Sequence, residues 1–378
     1  MASVSIRGLT KVKKDQVQLN NVSLEVDDGE FVVLVGPKHS GKTFFLRVIA
    51  GLEKADSGEI YFGNRRITER PPQLRNIGML FQKDALFPAM TVAENIGFAL
   101  KMRRMEKDRI DRRVRSLAEQ LHIAHLLDKR PQELEMIDRQ RVALARALAP
   151  KPDLLLMDDP LVELDDNNAR ELGMEILRLQ RALKFTVLYV TRNRLEGLRM
   201  ATRVVVMKDG AIQQCDTPQI IYDYPANRHV AQFIGTPEMN QFPVLLKRRG
   251  KGVFIEFGEY SIPLPVGKVA RMISDKYMDE TVILGMRAEN IHEKAAFISI
   301  SEETAVEAQV SLVEMMGMGT LLHLKVDGIE KELIANVEAR CVATEGEIIR
   351  VAFDINHIHL FDKDTGESIL GRMISNNT

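Results

Sequence analysis

Apolar runs alternate with helix-like segments over the first 235 residues of the chain. The run EFVVLV leads into a glycine-bearing loop, which the apolar segment FFLRVIAGL follows. In residues 109–127, Ile110, Val114, Leu117 and Leu121 recur at spacings of four, three and four, which predicts one buried face of an amphipathic helix. Two later apolar runs, DLLLMD and FTVLYVT, flank a second segment of helical periodicity. Buried strands that alternate with helices predict an α/β domain whose parallel sheet is covered on both faces.

The pattern changes after about residue 235, where short strand-like segments are separated by glycine and proline. These segments are GVFIEF, YSIPLPV, ETVILGM, LLHLKV and EIIRVAFD. Several short strands with frequent turn residues predict a small all-β barrel. We therefore place a domain boundary between residues 235 and 236, with the second domain covering 236–378.

The composition excludes several classes of function. The chain has 378 residues, a net charge of -1 and two cysteines, so nothing indicates a disulfide framework, a zinc site or a general attraction to nucleic acid. A basic stretch from Lys101 to Arg115 is interleaved with acidic residues and favours a solvated helix face over a nucleic-acid patch. No segment approaches the roughly 18–20 apolar residues of a membrane helix, and the first residues lack the pattern of a signal peptide. We expect a cytoplasmic protein with no nucleic-acid partner.

One further grouping of side chains suggests an alternative site. His357 and His359, beside Asp362, would share a strand face and so suggest a metal site, although such histidines are more often part of a surface or core.

A phosphate-binding loop follows the first apolar run. The pattern G-x-x-x-x-G-K-[ST] is matched by Gly36, Pro37, Lys38, His39, Ser40, Gly41, Lys42 and Thr43. In such a loop, backbone N–H groups surround the phosphates, the lysine supplies a positive charge to them, and the threonine hydroxyl binds Mg²⁺. The strand before the loop and the helix after it are the context that this motif requires.

A second motif ends the strand DLLLMD in the carboxylates of Asp158 and Asp159. A carboxylate at the end of a buried strand next to such a loop is typical of the Mg²⁺ shell of a P-loop NTPase, a role that we assign to Asp158. The two motifs together predict binding of ATP and Mg²⁺.

The chain resembles the ATPase subunits of ABC importers of the maltose-transporter type along nearly its whole length. The segments that carry the resemblance include GLEKADSGEIYFGNRRI, RNIGMLFQKDALFPAMTVAENIGFAL, RQRVALARALAPKPDLLLMDDPLVELD and MKDGAIQQCDTPQIIYDYPANRHVAQFIGTPEMN. GMRAENI, GIEKELIA and HIHLFDKDTG are similar to the appended regulatory barrel of the sugar and glycerol-phosphate importers.

The resemblance implies a fold and a set of site residues. The fold is a P-loop domain over residues 1–235, with a RecA-like core and a helical subdomain at about 84–150, followed by an OB-like TOBE barrel. Gln82 matches the Q-loop glutamine, which joins Thr43 and Asp158 around Mg²⁺ and takes part in catalysis.

The resemblance also implies partners. Two ATP-binding subunits, identical or different, enclose two ATP molecules head to tail. Membrane permease subunits dock beside Gln82 and residues 86–90, and an extracytoplasmic solute-binding protein acts through those permeases. The chain is then peripheral on the inner face of the cell membrane.

Three motifs depart from the family's pattern, and all three act on the same γ-phosphate. The LSGGQ signature reads Leu134, Glu135, Met136, Ile137 and Asp138 in this chain. A like charge about 4 Å from the phosphate would oppose closure of the ATP dimer by about 4 kcal/mol at an effective dielectric near 20. The catalytic glutamate is replaced by the shorter Asp159, and the switch histidine is replaced by Arg192.

The nucleotide contacts also differ. Lys13 occupies the place of the aromatic residue that stacks on adenine, and His39 replaces a loop glycine where a positive φ would be strained. We therefore expect an importer ATPase with low intrinsic turnover. The alternatives are a subunit that senses nucleotide without hydrolysing it and, less favoured, an ABC protein of translation or repair.

Overall fold

A computed structural model describes residues 3–14 and 16–371, which form two compact units that meet in sequence at Pro218 and Gln219. The elements of the first unit are β1 Val4–Lys13, β2 Gln16–Val26, β3 Phe31–Val35, α1 Lys42–Ala50, β4 Ser57–Phe62, β5 Arg65–Arg66, β6 Ile77–Leu80, α2 Val92–Met102, α3 Lys107–Gln120, α4 Met136–Leu148, β7 Leu154–Asp158, α5 Asp166–Leu183, β8 Thr186–Val190, α6 Arg194–Met200, β9 Arg203–Lys208 and β10 Ala211–Asp216. The remaining elements are α7 Pro218–Asp223, α8 Arg228–Phe233, β11 Asn240–Arg249, β12 Gly252–Phe257, β13 Tyr260–Pro263, α9 Val266–Val269, β14 Thr281–Met286, β15 Ile291–His292, α10 Ala295–Ile300, β16 Ala305–Met315, β17 Thr320–Val326, β18 Leu333–Val337, β19 Ile348–Phe353 and β20 His359–Phe361.

The first unit is built around a six-stranded sheet of order β10-β9-β3-β8-β7-β6. Its neighbouring strands run parallel except for the edge strand β10. Every residue of β3 and β8 is buried, as expected for strands covered on both faces. The predicted α/β fold with a parallel sheet is confirmed.

A second sheet of the same unit contains the antiparallel strands β2-β1-β4-β5. Apolar side chains of these strands share one core with α1 and with β3, β7, β8 and β9. Because α1 is packed between strands of both sheets, the start of the helix is held at the carboxyl end of β3.

Two glycines allow the loop between β3 and α1 to turn sharply. Gly36 and Gly41 have φ values of 155° and 93°, which glycine tolerates far better than other residues. A Cβ atom on Gly36 would lie 2.2 Å from the Met207 carbonyl oxygen, and one on Gly41 would lie 2.5 Å from that of Gln18. The loop therefore passes close to neighbouring backbone that a side chain would displace.

Three α-helices, α2, α3 and α4, lie between β6 and β7. Thr91 begins α2 with a capping box, in which Thr91 and Glu94 each accept from the other's backbone N–H. The helix predicted over residues 109–127 ends earlier, at Gln120, and His122 has a positive φ of 59°. Leu121 and Leu126 lie in the turns that follow the helix and are buried there. The apolar pattern therefore continues beyond the last helical residue, which made the predicted helix too long.

The second unit contains two five-stranded sheets, of order β13-β12-β11-β14-β20 and β15-β19-β16-β17-β18. All of their strand pairs are antiparallel, and buried side chains from both sheets share one core. The predicted all-β, barrel-like C-terminal fold is confirmed. The segment YSIPLPV is a strand only as far as Pro263, because the chain then forms the short helix α9.

Among the residues that the structure describes, no helix combines the length and apolar character needed to cross a membrane.

The shared core of the second unit generates a stability prediction. Leu324 of β17 is fully buried in that core, whereas the next residue, Lys325, is exposed. Leu324→Ala should lower the free energy of unfolding by about 2–5 kcal/mol, through lost burial and a residual cavity. Denaturant titration of the full chain measures this change. The control Lys325→Ala should stay within about 0.5 kcal/mol of the parent, and equal effects of the two substitutions would contradict the assigned core face.

Candidate nucleotide-binding site

The carboxyl ends of β3, β7 and β8 surround a cavity of about 340 Å³. It is lined by Gln18, Lys38, His39, Ser40, Gly41, Lys42, Thr43, Phe44, Arg47, Gln82, Asp158, Asp159, Val190 and Arg192. The structure thus brings together Lys38 to Thr43 of the loop with Gln82, Asp158, Asp159 and Arg192. Gly36 and Pro37 contribute to the site through their carbonyl groups.

Lys42 lies under the loop and is only 5% exposed. Its ammonium group donates to the Gly36 and Pro37 carbonyl oxygens and to the Ser40 hydroxyl, each at 2.8 Å. Burial lowers the pKa of Lys42 to about 8, opposed by the nearby carboxylate of Asp159 and reinforced by the Arg192 charge. A desolvated cation that no carboxylate of the described residues contacts directly is suited to a negatively charged ligand.

Thr43 and Asp158 meet across the site. The Thr43 hydroxyl donates to the Asp158 carboxylate at 2.8 Å, and burial raises the pKa of Asp158 above its usual range although this hydrogen bond opposes the shift. Mg²⁺ prefers oxygen ligands and is usually held by one or two carboxylates together with waters and substrate phosphates. A hydroxyl and a carboxylate within hydrogen-bond distance fit that donor set.

Asp159 is tied to Arg192 by an ion pair. The Arg192 Nε donates to an Asp159 carboxylate oxygen at 2.6 Å, and the Thr191 hydroxyl lies 3.4 Å from the other oxygen. Asp159 has a positive φ of 51° and is only 7% exposed. The carboxylate is therefore oriented by its own backbone and held by two neighbours from the end of β8.

A buried carboxyl group of α6 lies behind this pair. Burial raises the pKa of Glu196 to about 8, and the charge of Asp159 adds to the shift. The Oε1 atom of Glu196 is buried and has no hydrogen-bond partner in the described part of the chain. Sequence reasoning missed this residue, since a glutamate on a short surface helix shows no sign of burial.

The altered signature motif, residues 134–138, spans the start of α4, where Glu135 is the N-cap residue. Leu134 and Ile137 are buried, whereas Glu135 and Met136 are exposed. The Glu135 side chain makes no capping hydrogen bond, so its charge remains available at the N-terminus of the helix.

Asp138 takes part in a network of ion pairs at the start of α4. Arg141 donates to Asp138 at 3.0 Å and also pairs with Glu171 and Glu175 of α5. The hydrogen bond that Arg141 donates to Glu175, with those that it donates to Asp138 and Glu171, raises the pKa of Arg141. Because Arg141 shares its single charge among three carboxylates, this contact orients Asp138 without cancelling its negative charge.

The backbone at His39 has the strain anticipated from the sequence. Its φ is 63°, a left-handed conformation that costs a residue with a Cβ atom about 1–2 kcal/mol.

Several cavity residues were not anticipated. Arg47 follows Thr43 by four residues, one turn along α1, so both side chains reach the cavity. The four-residue spacing from Thr43 could therefore have predicted from the sequence that Arg47 lines the site. Phe44 also lines the cavity, and the Lys13 ammonium lies 5.6 Å from the centre of its ring while pairing with Glu53 at 3.2 Å.

The alternative metal site at His357 and His359 is not formed. His357 lies in a short turn, Ile355–His357, and its ring bonds to Asp354 at 2.6 Å, whereas His359 lies in β20. Within residues 3–14 and 16–371, no cluster of His, Cys, Asp or Glu is arranged to hold a metal ion.

Comparisons with known families agree with this arrangement. Residues 19–162 match the family described as ABC transporter, residues 235–291 match the MalK OB fold domain, and residues 284–361 match the TOBE domain.

Similar proteins match the chain almost end to end. The trehalose/maltose import ATP-binding protein MalK of Thermococcus litoralis is 39% identical, with 98% of this chain and 100% of that protein covered. The osmoprotective compounds uptake ATP-binding protein GgtA of Synechocystis is 40% identical, with the same coverage. The oligosaccharides import ATP-binding protein MsmX of Bacillus subtilis is 38% identical, covering 92% of this chain and 93% of that protein.

Two solved structures resemble part of the chain. One is a dimeric ATP-binding cassette in a post-hydrolysis state bound to ADP and Pi, with a TM-score of 0.51 and 28% identity over 57% of this chain and 98% of that one. The other is cbiO1 of Clostridium perfringens, part of the ABC transporter complex cbiONQ, with a TM-score of 0.54 and 27% identity over 58% of this chain and 89% of that one. The chain belongs to the family of ABC transporter ATP-binding proteins, in the MalK-like group that carries C-terminal OB and TOBE domains.

Proposed function

We propose that this protein is the ATP-binding, energy-coupling subunit of an ABC importer for carbohydrate, and that its intrinsic ATP hydrolysis is slow. The carbohydrate class is supported by relatives named for trehalose, maltose and oligosaccharide import. Slow hydrolysis is supported above all by the ion pair between Asp159 and Arg192. The proposed partners are membrane permease subunits, a second ATP-binding subunit and, through the permeases, an extracytoplasmic solute-binding protein. The subunit would act on the cytoplasmic face of the membrane.

The phosphates of ATP would be bound by the loop and its buried lysine. Backbone N–H groups from Lys38 to Thr43 and the Lys42 ammonium supply positive charge, and Arg47 and Lys38 add to it from the cavity wall. Bound Mg²⁺, held by Thr43, Asp158 and Gln82, would neutralise charge on the phosphates. These groups follow the intact pattern of the family, so nucleotide binding is retained in the proposal.

Hydrolysis requires a carboxylate that accepts a proton from the attacking water. The candidate is Asp159, and in this chain Arg192 occupies one of its oxygens. A hydrogen bond to a charged group contributes about 1.5–3 kcal/mol net. Releasing it before each turnover would slow hydrolysis by roughly ten- to a hundredfold.

Two more features would also slow ATP hydrolysis. Asp159 is one methylene shorter than glutamate, and a displacement of about 1 Å can lower a rate by about a hundredfold. Glu135 places an unpaired carboxylate at the helix terminus that, in the family, faces the γ-phosphate of the partner's ATP. We assign the electrostatic opposition to dimer closure mainly to Glu135, to which Asp138 adds because Arg141 is shared with Glu171 and Glu175.

The Asp159–Arg192 ion pair also favours one alternative, a subunit that binds ATP to regulate the transporter without hydrolysing it. ATPase activity measured with and without the permease subunits separates the two. Hydrolysis stimulated by the permeases supports energy coupling, whereas ATP binding without hydrolysis in both conditions supports regulation.

The first prediction of this proposal concerns nucleotide affinity. Lys42→Ala should remove most of the affinity for MgATP, because it deletes the buried cation beneath the loop. Calorimetry measures the change in Kd. Lys101→Ala, which removes an exposed lysine of α2 outside the cavity, should leave the Kd unchanged. An unmodified chain that folds but does not bind millimolar MgATP would refute the site.

The second prediction concerns turnover. Asp159→Glu alone should recover little ATPase activity, because Arg192 and Glu135 still act on the same step. The triple variant with Asp159→Glu, Arg192→His and Glu135→Ser should gain more than the product of the single gains, since groups that act as a unit are not additive. Steady-state ATPase assays measure this, with MgATP affinity as the control for intact binding. Turnover of about 1–10 per second by the unmodified chain would overturn the proposed impairment.

A further inference from the structure

The second unit contains a cavity of about 240 Å³ that is unrelated to the nucleotide site. Its walls include Lys268, Arg271, His359 and Ser368, with Asp223 and Tyr224 beside them. All of these residues belong to the second unit. Two cations and an imidazole therefore line one small space.

Neither cation is neutralised by a carboxylate in contact with it. Among the described residues, no carboxylate lies within ion-pair distance of Lys268 or Arg271, and each forms one hydrogen bond, to a backbone carbonyl. The Lys268 ammonium donates to Ile358 O at 2.8 Å, and the Arg271 Nε donates to Gly371 O at 2.8 Å. The other N–H groups of both side chains remain available to a ligand.

The residues that line the cavity include two cations, Lys268 and Arg271, and one carboxylate, Asp223, so their formal charges sum to +1 with His359 neutral. Asp223 is exposed and accepts a hydrogen bond from Gln219 at 2.6 Å, and Asp354 pairs with His357. Arg271 lies over the Tyr224 ring at 5.2 Å, which fixes the guanidinium beside the cavity.

Burial and the neighbouring charges shift the pKa values of Lys268 and His359. Burial lowers the pKa of Lys268 to about 8, with Arg271 reinforcing the shift and Asp354 opposing it. Burial also lowers the pKa of His359, and the charges of Arg287, Lys268 and Arg271 add to that effect. His359 is therefore neutral at physiological pH and offers a ring N–H or an acceptor nitrogen rather than a third charge.

We propose that this cavity binds a small phosphate-bearing anion, either free phosphate or the phosphate group of a metabolite. A phosphate has several acceptor oxygens, so it can accept from the Lys268 ammonium, the unused N–H groups of Arg271 and the His359 ring together. Binding would compensate two partly buried cations that have no carboxylate partner among the described residues. The site is independent of the proposed transport activity and gives the second unit a ligand of its own.

Phosphate also binds loops of the kind formed by residues 36–43, so the test uses the full chain carrying Lys42→Ala. Binding is measured by equilibrium dialysis with inorganic phosphate, glycerol 3-phosphate and glucose 6-phosphate, and with unphosphorylated glycerol and glucose as blanks. We expect saturable binding of at least one phosphate compound at millimolar concentration. If glycerol 3-phosphate or glucose 6-phosphate binds more tightly than inorganic phosphate, the ligand is a phosphorylated metabolite. If the esters bind no more tightly than inorganic phosphate, the ligand is free phosphate.

Two substitutions locate the site. Lys268→Met and Arg271→Met should each weaken binding about tenfold or more, because each removes a charge-assisted hydrogen bond. Lys331→Met removes an exposed charge of the same unit outside the cavity and should change the affinity by less than about twofold. Circular dichroism checks that each variant is folded.

A footprinting experiment covers the case in which a cavity variant fails to fold. Phosphate should protect Lys268, but not Lys331, from an amine-reactive reagent, as read by mass spectrometry of the Lys42→Ala chain. The proposal is overturned if no phosphate compound binds at millimolar concentration. It is equally overturned if binding is unchanged in the folded cavity variants, or if Lys268 gains no protection.

Discussion

The nucleotide site depends on one buried cation held by backbone carbonyl groups. The Lys42 ammonium bonds to the Gly36 and Pro37 carbonyl oxygens and the Ser40 hydroxyl, so the loop is folded around the charge that it presents to a ligand. The cation is tolerated because it satisfies its donors inside the loop. Its position is set by packing, since α1 lies in a core shared by strands of both sheets of the unit. Fixing this helix start also fixes Thr43 against Asp158 at the end of β7.

Charges around Lys42 then determine what the site can do. Lys42, Arg47 and Arg192 face Asp158 and Asp159 in one cavity, a balance that favours a polyanionic ligand. Arg192 differs from the other cations because it bonds directly to Asp159. A positive charge that would assist binding is thus placed on the carboxylate that we propose as the catalytic base, and this coupling is the reason that we propose retained binding together with slow turnover.

The sequence predicted the architecture well where one physical rule acted alone. The loop from Gly36 to Thr43 and the strand ending at Asp158 were predictable because phosphate binding imposes both residue types and spacing. Strands buried on both faces, such as β3 and β8, appear as continuous apolar runs. The end of α3 was missed because Leu121 continues the helical spacing although it packs from a turn. The strand β16 was missed although Val306, Ala308 and Val310 alternate with Glu307 and Gln309, the period of a strand with one buried face.

Side-chain partners were beyond the sequence, since they are set by residues distant in the chain. Arg141 joins Asp138 of α4 to Glu171 and Glu175 of α5, a network between two helices that the motif alone did not indicate. The burial of Glu196 behind Asp159 likewise depends on how α6 packs against β3, where a Cβ atom on Gly197 would lie 2.7 Å from Val35. In both cases the local sequence specifies which charged group is present. It does not specify which distant residues lie next to that group.

The positions of the altered groups constrain the proposed dimer. In the family arrangement, each ATP lies between the loop of one subunit and the signature helix of the other. Two copies of this chain would give both sites the Asp159–Arg192 pair on one side and Glu135 on the other. A partner with intact motifs would separate these defects, so that one site has the tied carboxylate and the other has the acidic helix terminus. The first site would still bind ATP through Lys42 and close on an intact signature, whereas the second would have an intact base but an opposed closure. Pairing with an intact subunit would therefore distribute the impairment between the two sites rather than remove it from either.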